Sequence, residues 1–246
     1  MAERPHYRRS MREKVVTLLL VVGILFLGSS FLNRAEQEES VYTMGDGQEP
    51  PVVVIDAGHG GKDPGKVGIN QALEKDINLS VAKRLKSLLE QNGIAVVMTR
   101  EEDKDLASEQ ATSRKNEDLR ARATLVAETE PVLMISIHQN SYPEEEVDGA
   151  QVFFYSGSEA GKRLGTMVQE SLKREIKDGN HRVAKANKEY YLLKKAVCPA
   201  VIIECGFLSN PKEAVLLSTK EYQEKLAFAI HLGIMEYINT VGITEE

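Results

Sequence analysis

At 246 residues with 42% hydrophobic content, the chain is long enough to bury one sizeable core and points to a single main domain. The formal net charge of −6 is unevenly spread: Arg4, Arg8, Arg9, Arg12 and Lys14 against Glu3 and Glu13 give residues 1–14 a net +3, leaving −9 on the rest. An acidic body argues against nucleic acid as a partner, which is met by a basic face, and two cysteines are too few for a disulfide-stapled fold.

Taken in order, residues 1–14 form a basic tail and residues 15–32 an uncharged apolar run of eighteen residues, long enough to span a bilayer core. The basic flank puts the N-terminus in the cytoplasm and the body outside, as a single-pass protein of the cell membrane. The rival reading is a cleavable signal peptide with Gly28-Ser29-Ser30 near a processing site, which would leave the body exported. The apolar run is longer than a usual signal core and no clean small-x-small site follows it, so an uncleaved anchor is expected. Residues 33–50 are acidic and polar and read as a tether, and residues 51–241 as the folded domain.

The domain opens on Val52-Val-Val-Ile-Asp-Ala-Gly-His-Gly-Gly61, an apolar strand that stops abruptly at a loop whose glycines allow close backbone approach. Glu74, Ile77, Val81, Leu85, Leu88 and Leu89 follow at helical spacing, ended by Asn92-Gly93. A second strand covers Ile94–Thr99, and Leu119, Ala123, Val126 and Ala127 mark a second helix with Arg120 and Arg122 on a solvated face. Pro131 closes that helix before the strand Val132–Ile137, which runs into His138. A short acidic loop, Ser141–Gly149, leads to a strand Gln151–Tyr155 of undecided direction.

Ser158 caps a helix carrying Leu164, Val168, Leu172 and Ile176; Asp178–Glu189 reads as loop and Tyr190–Leu193 as a short strand. The strand Ala200–Glu204 follows, with Cys198 and Cys205 at its two ends, about 23 Å apart at ~3.3 Å per residue and so unable to pair. Asn210-Pro211-Lys212-Glu213 is a helix start with cap, proline and capping-box acid, and Tyr222, Leu226, Ile230, Gly233, Ile234 and Tyr237 line the last helix. Strands alternating with amphipathic helices predict an α/β fold of three layers, a mostly parallel sheet flanked by helices on both faces.

Three apolar runs end in His59, His138 and Glu204, and open α/β sheets bind ligands beyond the carboxyl ends of their strands. Two imidazoles and a carboxylate make a three-ligand zinc site with a position left open, and a second glutamate then serves as general base and acid. Glu204, ending an apolar strand, is the better proton carrier; Glu74, in polar Leu73-Glu74-Lys75-Asp76, is the better ligand. Two plainer readings compete: Glu74 as a helix-start acid, and Glu204 as the structural partner of Arg100. Asn140 either orients substrate or makes a turn, while His181 and His231 lie outside the pattern.

Asp56-Ala-Gly-His-Gly-Gly61, Leu73-Glu-Lys-Asp76, Met98-Thr-Arg100, Ser136-Ile-His-Gln-Asn140 and Glu204-Cys-Gly-Phe-Leu-Ser-Asn210 resemble the zinc-dependent N-acetylmuramoyl-L-alanine amidases over about residues 52 to 240. The resemblance implies Zn2+ held by His59, Glu74 and His138, with Glu204 as catalytic acid/base. The implied reaction is hydrolysis of the amide between the lactyl group of N-acetylmuramic acid and L-alanine in peptidoglycan. Cys205 stands where many relatives have a small aliphatic. A single anchor, no wall-binding repeats and a short Ser141–Gly149 loop are similar to the membrane-anchored, germination-specific (CwlD-like) spore cortex amidases, which prepare cortex for muramic-δ-lactam formation by a downstream deacetylase. A helper lipoprotein that aids metal loading is a further expected partner. The alternatives are a wall amidase of vegetative growth and autolysis, a zinc carboxypeptidase using Arg100 to hold a terminal carboxylate, or a peptidoglycan-binding protein of low activity that depends on a partner.

Overall fold

The structure, a computed structural model, describes residues 49–241. The expected basic tail, the anchor at 15–32 and nearly all of the tether lie outside the described residues. Among the described residues no helix is long and apolar enough to cross a membrane.

Six strands form one sheet: β1 (Val52–Ala57), β2 (Ala95–Met98), β3 (Leu133–Asn140), β4 (Gln151–Tyr155), β5 (Lys185–Asn187) and β6 (Ala200–Phe207), in the order β2-β1-β3-β6-β4-β5. The helices are α1 (Glu74–Gln91), α2 (Arg114–Thr129), α3 (Glu159–Ile176), α4 (Tyr191–Lys195), α5 (Pro211–Leu217) and α6 (Lys220–Val241). Strands β2, β1, β3 and β6 run parallel, whereas β4 is antiparallel to β6 and carries β5 alongside it. The central β6 is buried at every position, as a strand covered on both faces requires.

Side chains alternate between the two faces, so register decides which residues meet. Val54, Met134, Ala200 and Ile202 share a core cluster with Val126 of α2 and with Leu192 and Leu193 of α4. On the opposite face α1 covers β1 and β3, α3 covers β4 and β6, and α6 packs across both helices. The three-layer expectation holds, with a mixed sheet whose parallel part bears the site. Asp56 lies opposite Ser136, and His138 opposite Glu204, so these four side chains belong to the α2–α4 face.

Some elements differ from the sequence reading. The segment expected to be a short strand, Tyr190–Leu193, is the start of helix α4, and β5 lies inside the expected 178–189 loop. The C-terminal helical region is broken into α5 and α6 around Ser218 and Thr219. Asn210 caps α5 as expected, accepting from the amides of Lys212 and Glu213. Glu213, however, does not close a capping box: it accepts from the backbone amides of Phe207 and Gly149, tying the end of β6 to the loop before β4. Cys198 and Cys205 are free thiols.

The largest departure is Arg122, which is not solvated but 1% exposed. It lies three residues after Leu119 and four before Val126, so it belongs to the inward stripe of α2. Its Nη1 donates to Asp56 Oδ1 at 2.7 Å and its Nε to Asp118 Oδ2 at 2.8 Å. Asp56 also accepts from Thr99 Oγ1 (2.8 Å) and Ser136 Oγ (2.6 Å), which links three parallel strands at one level. Burial opposes ionisation of Asp56, but Arg122, His138 and Ser136 outweigh it and hold the carboxyl down to about 2.

Removing one partner of such a pair strands the other charge in the core. Arg122→Met is expected to cost about 3–5 kcal/mol in urea unfolding, whereas Arg84→Met, at the more exposed contact with Glu224, costs about 1 kcal/mol or less. Because the folded-state pKa of Asp56 is depressed from 3.8 to about 2, its contribution is present above 3.8 and lost as pH falls through 2. Stability measured over that window should fall less steeply in Asp56→Asn than in the wild type.

Candidate functional site

The carboxyl ends of β1, β3 and β6 open on one edge, and there the structure brings together His59, Glu74 and His138. One ligand-competent atom from each lies within 4.8 Å of the others. His59 follows β1 by two residues, His138 lies within β3, and Glu74 is the first residue of α1. Glu74 Oε1 is 3.3 Å from His59 Nε2 and 3.0 Å from His138 Nδ1. The imidazoles stand edge to face, with centroids 5.0 Å apart.

Glycines make this convergence possible. A Cβ on Gly58 would overlap the His138 ring, and one on Gly65 would crowd Glu74 and the His59 ring. Gly65 also has φ +68°, a left-handed conformation that costs glycine nothing. His59 itself has φ 61°, which a side-chain-bearing residue holds only when its surroundings enforce it.

That enforcement comes from two buried arginines. Arg122 donates to the carbonyls of Ala57 (2.9 Å) and His59 (2.8 Å). Arg100 donates to the carbonyls of Ala57 (2.9 Å), Gly58 (3.1 Å) and Lys75 (2.7 Å). Arg100 is thus neither a partner of Glu204 nor available to hold a terminal carboxylate, which removes the specific support for a carboxypeptidase.

Glu74 is 1% exposed yet well supplied with donors: its Oε2 accepts from the Lys66 amide (2.7 Å) and its Oε1 from the Gln139 amide (3.1 Å). Burial would raise its pKa, but hydrogen bonds and charge from His138 and His59 drive it well below the usual carboxylate range. A merely structural helix-start acid would not need to be buried among imidazoles. Burial likewise opposes the charged form of His59, and Glu74 and Asp63 overcome it, lifting the ring to about 9.

The donor set fits a cation. His59 Nδ1 is 2.8 Å from Asp63 Oδ2, a contact that in the neutral ring places the proton on that nitrogen and leaves the Nε2 lone pair facing Glu74 Oε1. Two acceptors so placed repel unless a proton or a metal stands between them. Two imidazoles, a carboxylate and a second carboxylate orienting one imidazole are the ligands and support that zinc takes.

Glu204 stands opposite His138 in the β3–β6 register. Burial pushes its pKa up; Glu74 adds to that, while His138 and the Tyr190 hydrogen bond oppose it. Its Oε2 is buried without a hydrogen-bond partner among the described residues. A cleft of about 540 Å³ exposes the whole group, lined among others by Lys66, Lys115, Asn140, Tyr190 and Ile202. Asn140 lies at a register shift at the end of β3, with its side-chain oxygen accepting from the Ser141 amide, so it makes a turn and also lines the cleft. His181 and His231 do not join the cluster; His231 faces Asn92, at the end of α1 remote from Glu74.

Sequence reasoning overlooked Asp63, Tyr190 and the arginine clamp. Asp63 could have been found four residues after His59; Arg122 could have been found from its place on the apolar stripe. Tyr190 carried no local signal, because its role depends on a contact across the sheet edge.

Residues 53–236 match the family described as N-acetylmuramoyl-L-alanine amidase. The germination-specific N-acetylmuramoyl-L-alanine amidase of Bacillus subtilis (strain 168) is 37% identical over 235 residues, covering 94% of this chain and 98% of its own. The CwlD amidase from Clostridioides difficile, solved in complex with the GerS lipoprotein, is similar with a TM-score of 0.75 and 40% identity over 77% of this chain and 99% of that one. An N-acetylmuramoyl-L-alanine amidase from Clostridium difficile 630 gives a TM-score of 0.71 at 30% identity, covering 79% of this chain and 100% of that one.

Asp63→Asn weakens the orientation of His59 without touching the other two candidate ligands. Zinc affinity, measured by competition with a chromophoric chelator, is expected to fall about 10–100-fold. An unchanged affinity would mean that His59 needs no such support.

Proposed function

The chain belongs to the N-acetylmuramoyl-L-alanine amidase family, and on that premise we propose that it is a zinc-dependent enzyme acting on spore cortex peptidoglycan. The bond cut is the amide between the lactyl group of N-acetylmuramic acid and the L-alanine of the stem peptide. The observation that carries this reading is the convergence of His59, Glu74 and His138 in one cleft with the buried Glu204.

In this reading His59, Glu74 and His138 hold zinc, which when bound supplies Lewis-acid polarisation of the amide carbonyl and lowers the pKa of water. The chain's own groups do the rest. Asp63 fixes the tautomer and angle of His59. The Glu204 carboxylate takes a proton from the attacking water and returns it to the departing alanine nitrogen, so that the amine leaves neutral. The support for that role is its place in the cleft beside His59, Glu74 and His138, and burial, which raises the carboxyl's pKa and so eases its holding a proton. Ile202 and Leu192 add apolar surface to the cleft beside these groups.

The cortex substrate, rather than vegetative wall, is supported by the germination-specific relative and its near-complete coverage. A helper lipoprotein is supported by the relative solved in complex with one, and by the open, three-ligand character of the candidate site. Removal of stem peptides exposes the lactyl carboxyl on which a downstream deacetylase step toward muramic-δ-lactam would depend. The uncharged run at 15–32 supports an anchor that holds the domain, residues 51–241, outside the cytoplasmic membrane.

Digestion of purified cortex and vegetative peptidoglycan by the zinc-loaded protein, read by mass spectrometry, tests the reading. Intact stem peptides beginning with alanine should appear, more from cortex than from vegetative wall. Glu204→Gln should retain zinc and lose about 10²–10⁴-fold in rate. Zinc-bound wild type that releases no stem peptide from either material would overturn the proposal.

A further inference from the structure

We propose that Tyr190 is a positioning residue that fixes the orientation of the Glu204 carboxyl beside the candidate metal site, an inference that rests on the amidase reading and deepens it. The Tyr190 hydroxyl donates to Glu204 Oε1 at 3.3 Å, and among the described residues the buried Glu204 Oε2 has no hydrogen-bond partner. The two oxygens of one carboxyl are therefore not equivalent. One is tethered by the phenol and the other carries no such tether, so a single hydrogen bond sets the plane of the carboxyl.

The tether comes from outside the strands that carry the other site groups. Tyr190 immediately precedes α4, in the segment between β5 and β6. Three contacts hold it there. The Asn187 side-chain oxygen accepts from the backbone amides of Glu189 (2.7 Å) and Tyr190 (2.9 Å), forming a tight turn at the end of β5. The Tyr190 ring meets Phe153 edge to face, with centroids 5.5 Å apart. Phe153 is in turn the register partner of Ile202, two residues before Glu204 on the same face of the sheet. The ring that orients Glu204 is thus braced against the strand next to it. Burial and the neighbouring Glu204 charge push the phenol pKa upward, so it remains a donor throughout the working range.

A glutamate held only by its backbone would sample several rotamers in the cleft, and misplacing a proton acceptor by about 1 Å can cost on the order of 10²-fold in rate. The contact of 3.3 Å is long for O–H···O, and contacts of this kind shorten once substrate fills the site. The phenol needs no role in binding the substrate itself.

The test uses zinc-loaded full-length protein and soluble disaccharide-tetrapeptide fragments of peptidoglycan, comparing wild type, Tyr190→Phe, Glu204→Asp and the double variant. Tyr190→Phe keeps the ring against Phe153 and removes only the donor. It should lower kcat about 10–100-fold, the scale of a lost positioning contact, with KM within about twofold and zinc content unchanged. In the Glu204→Asp background, where the shortened carboxyl no longer reaches the phenol, the same substitution should change kcat less than about twofold. A kcat for Tyr190→Phe within about twofold of wild type overturns the proposal while leaving the amidase reading standing. A loss confined to KM, or the same loss in both backgrounds, also overturns it, because Tyr190 would then act on substrate or on packing. Wild type that cleaves nothing overturns the amidase reading and this proposal with it.

Discussion

The site depends on two buried guanidinium groups that grip the backbone just beyond β1. Arg122 and Arg100 together accept the burden of holding the carbonyls of Ala57, Gly58 and His59, and so keep His59 in a left-handed conformation that it would otherwise leave. Two like charges this close repel, and burial with the Arg122 charge lowers the pKa of Arg100. Asp56, lying between the strands and held ionised, compensates much of that charge. The ion pair belongs less to stability than to placement: a hydrophobic substitute could fill the volume but could not direct the loop carbonyls.

From that fixed loop the rest of the constellation follows by sheet geometry. Parallel strands in the order β1-β3-β6 bring the ends of three chain segments to one edge, and the register sets His138 across from Glu204. Glu74 enters from α1, its carboxylate held by the amides of Lys66 and Gln139. Candidate ligands on strand ends and a helix start are rigidly supported, and preorganised groups of this kind let a site act without reorganising. The proposed proton carrier, Glu204, sits on the strand that is buried along its whole length, where desolvation raises a carboxyl's pKa.

Much of this was legible in the sequence because it is written in period and punctuation. Apolar runs ending in His59, His138 and Glu204, helical stripes between them and the cap at Asn210 predicted the layers, the sheet edge and the residues that meet there. What escaped was what only tertiary contact decides. Arg122 read as solvated because a charge on a helix is usually outside; its partner, Asp56, is distant in sequence and reached only when α2 lies on the sheet. Tyr190 and Tyr191 suggested a strand by propensity, yet the Asx turn at Asn187 starts a helix turn instead. Glu213 matched a capping box, but the better-paired alternative was the pair of amides at Phe207 and Gly149. Short-range signals lost wherever a buried amide or charge had to be satisfied.

The account turns on a division of labour between two glutamates, Glu74 as ligand and Glu204 as proton carrier. Anomalous diffraction at the zinc absorption edge from crystals of the zinc-loaded protein tests that division most directly. The account predicts one zinc, bonded at about 2.0–2.2 Å to His59, Glu74 and His138, with Glu204 outside the coordination sphere. Zinc bound through Glu204 in place of Glu74, or found at another site altogether, would contradict it.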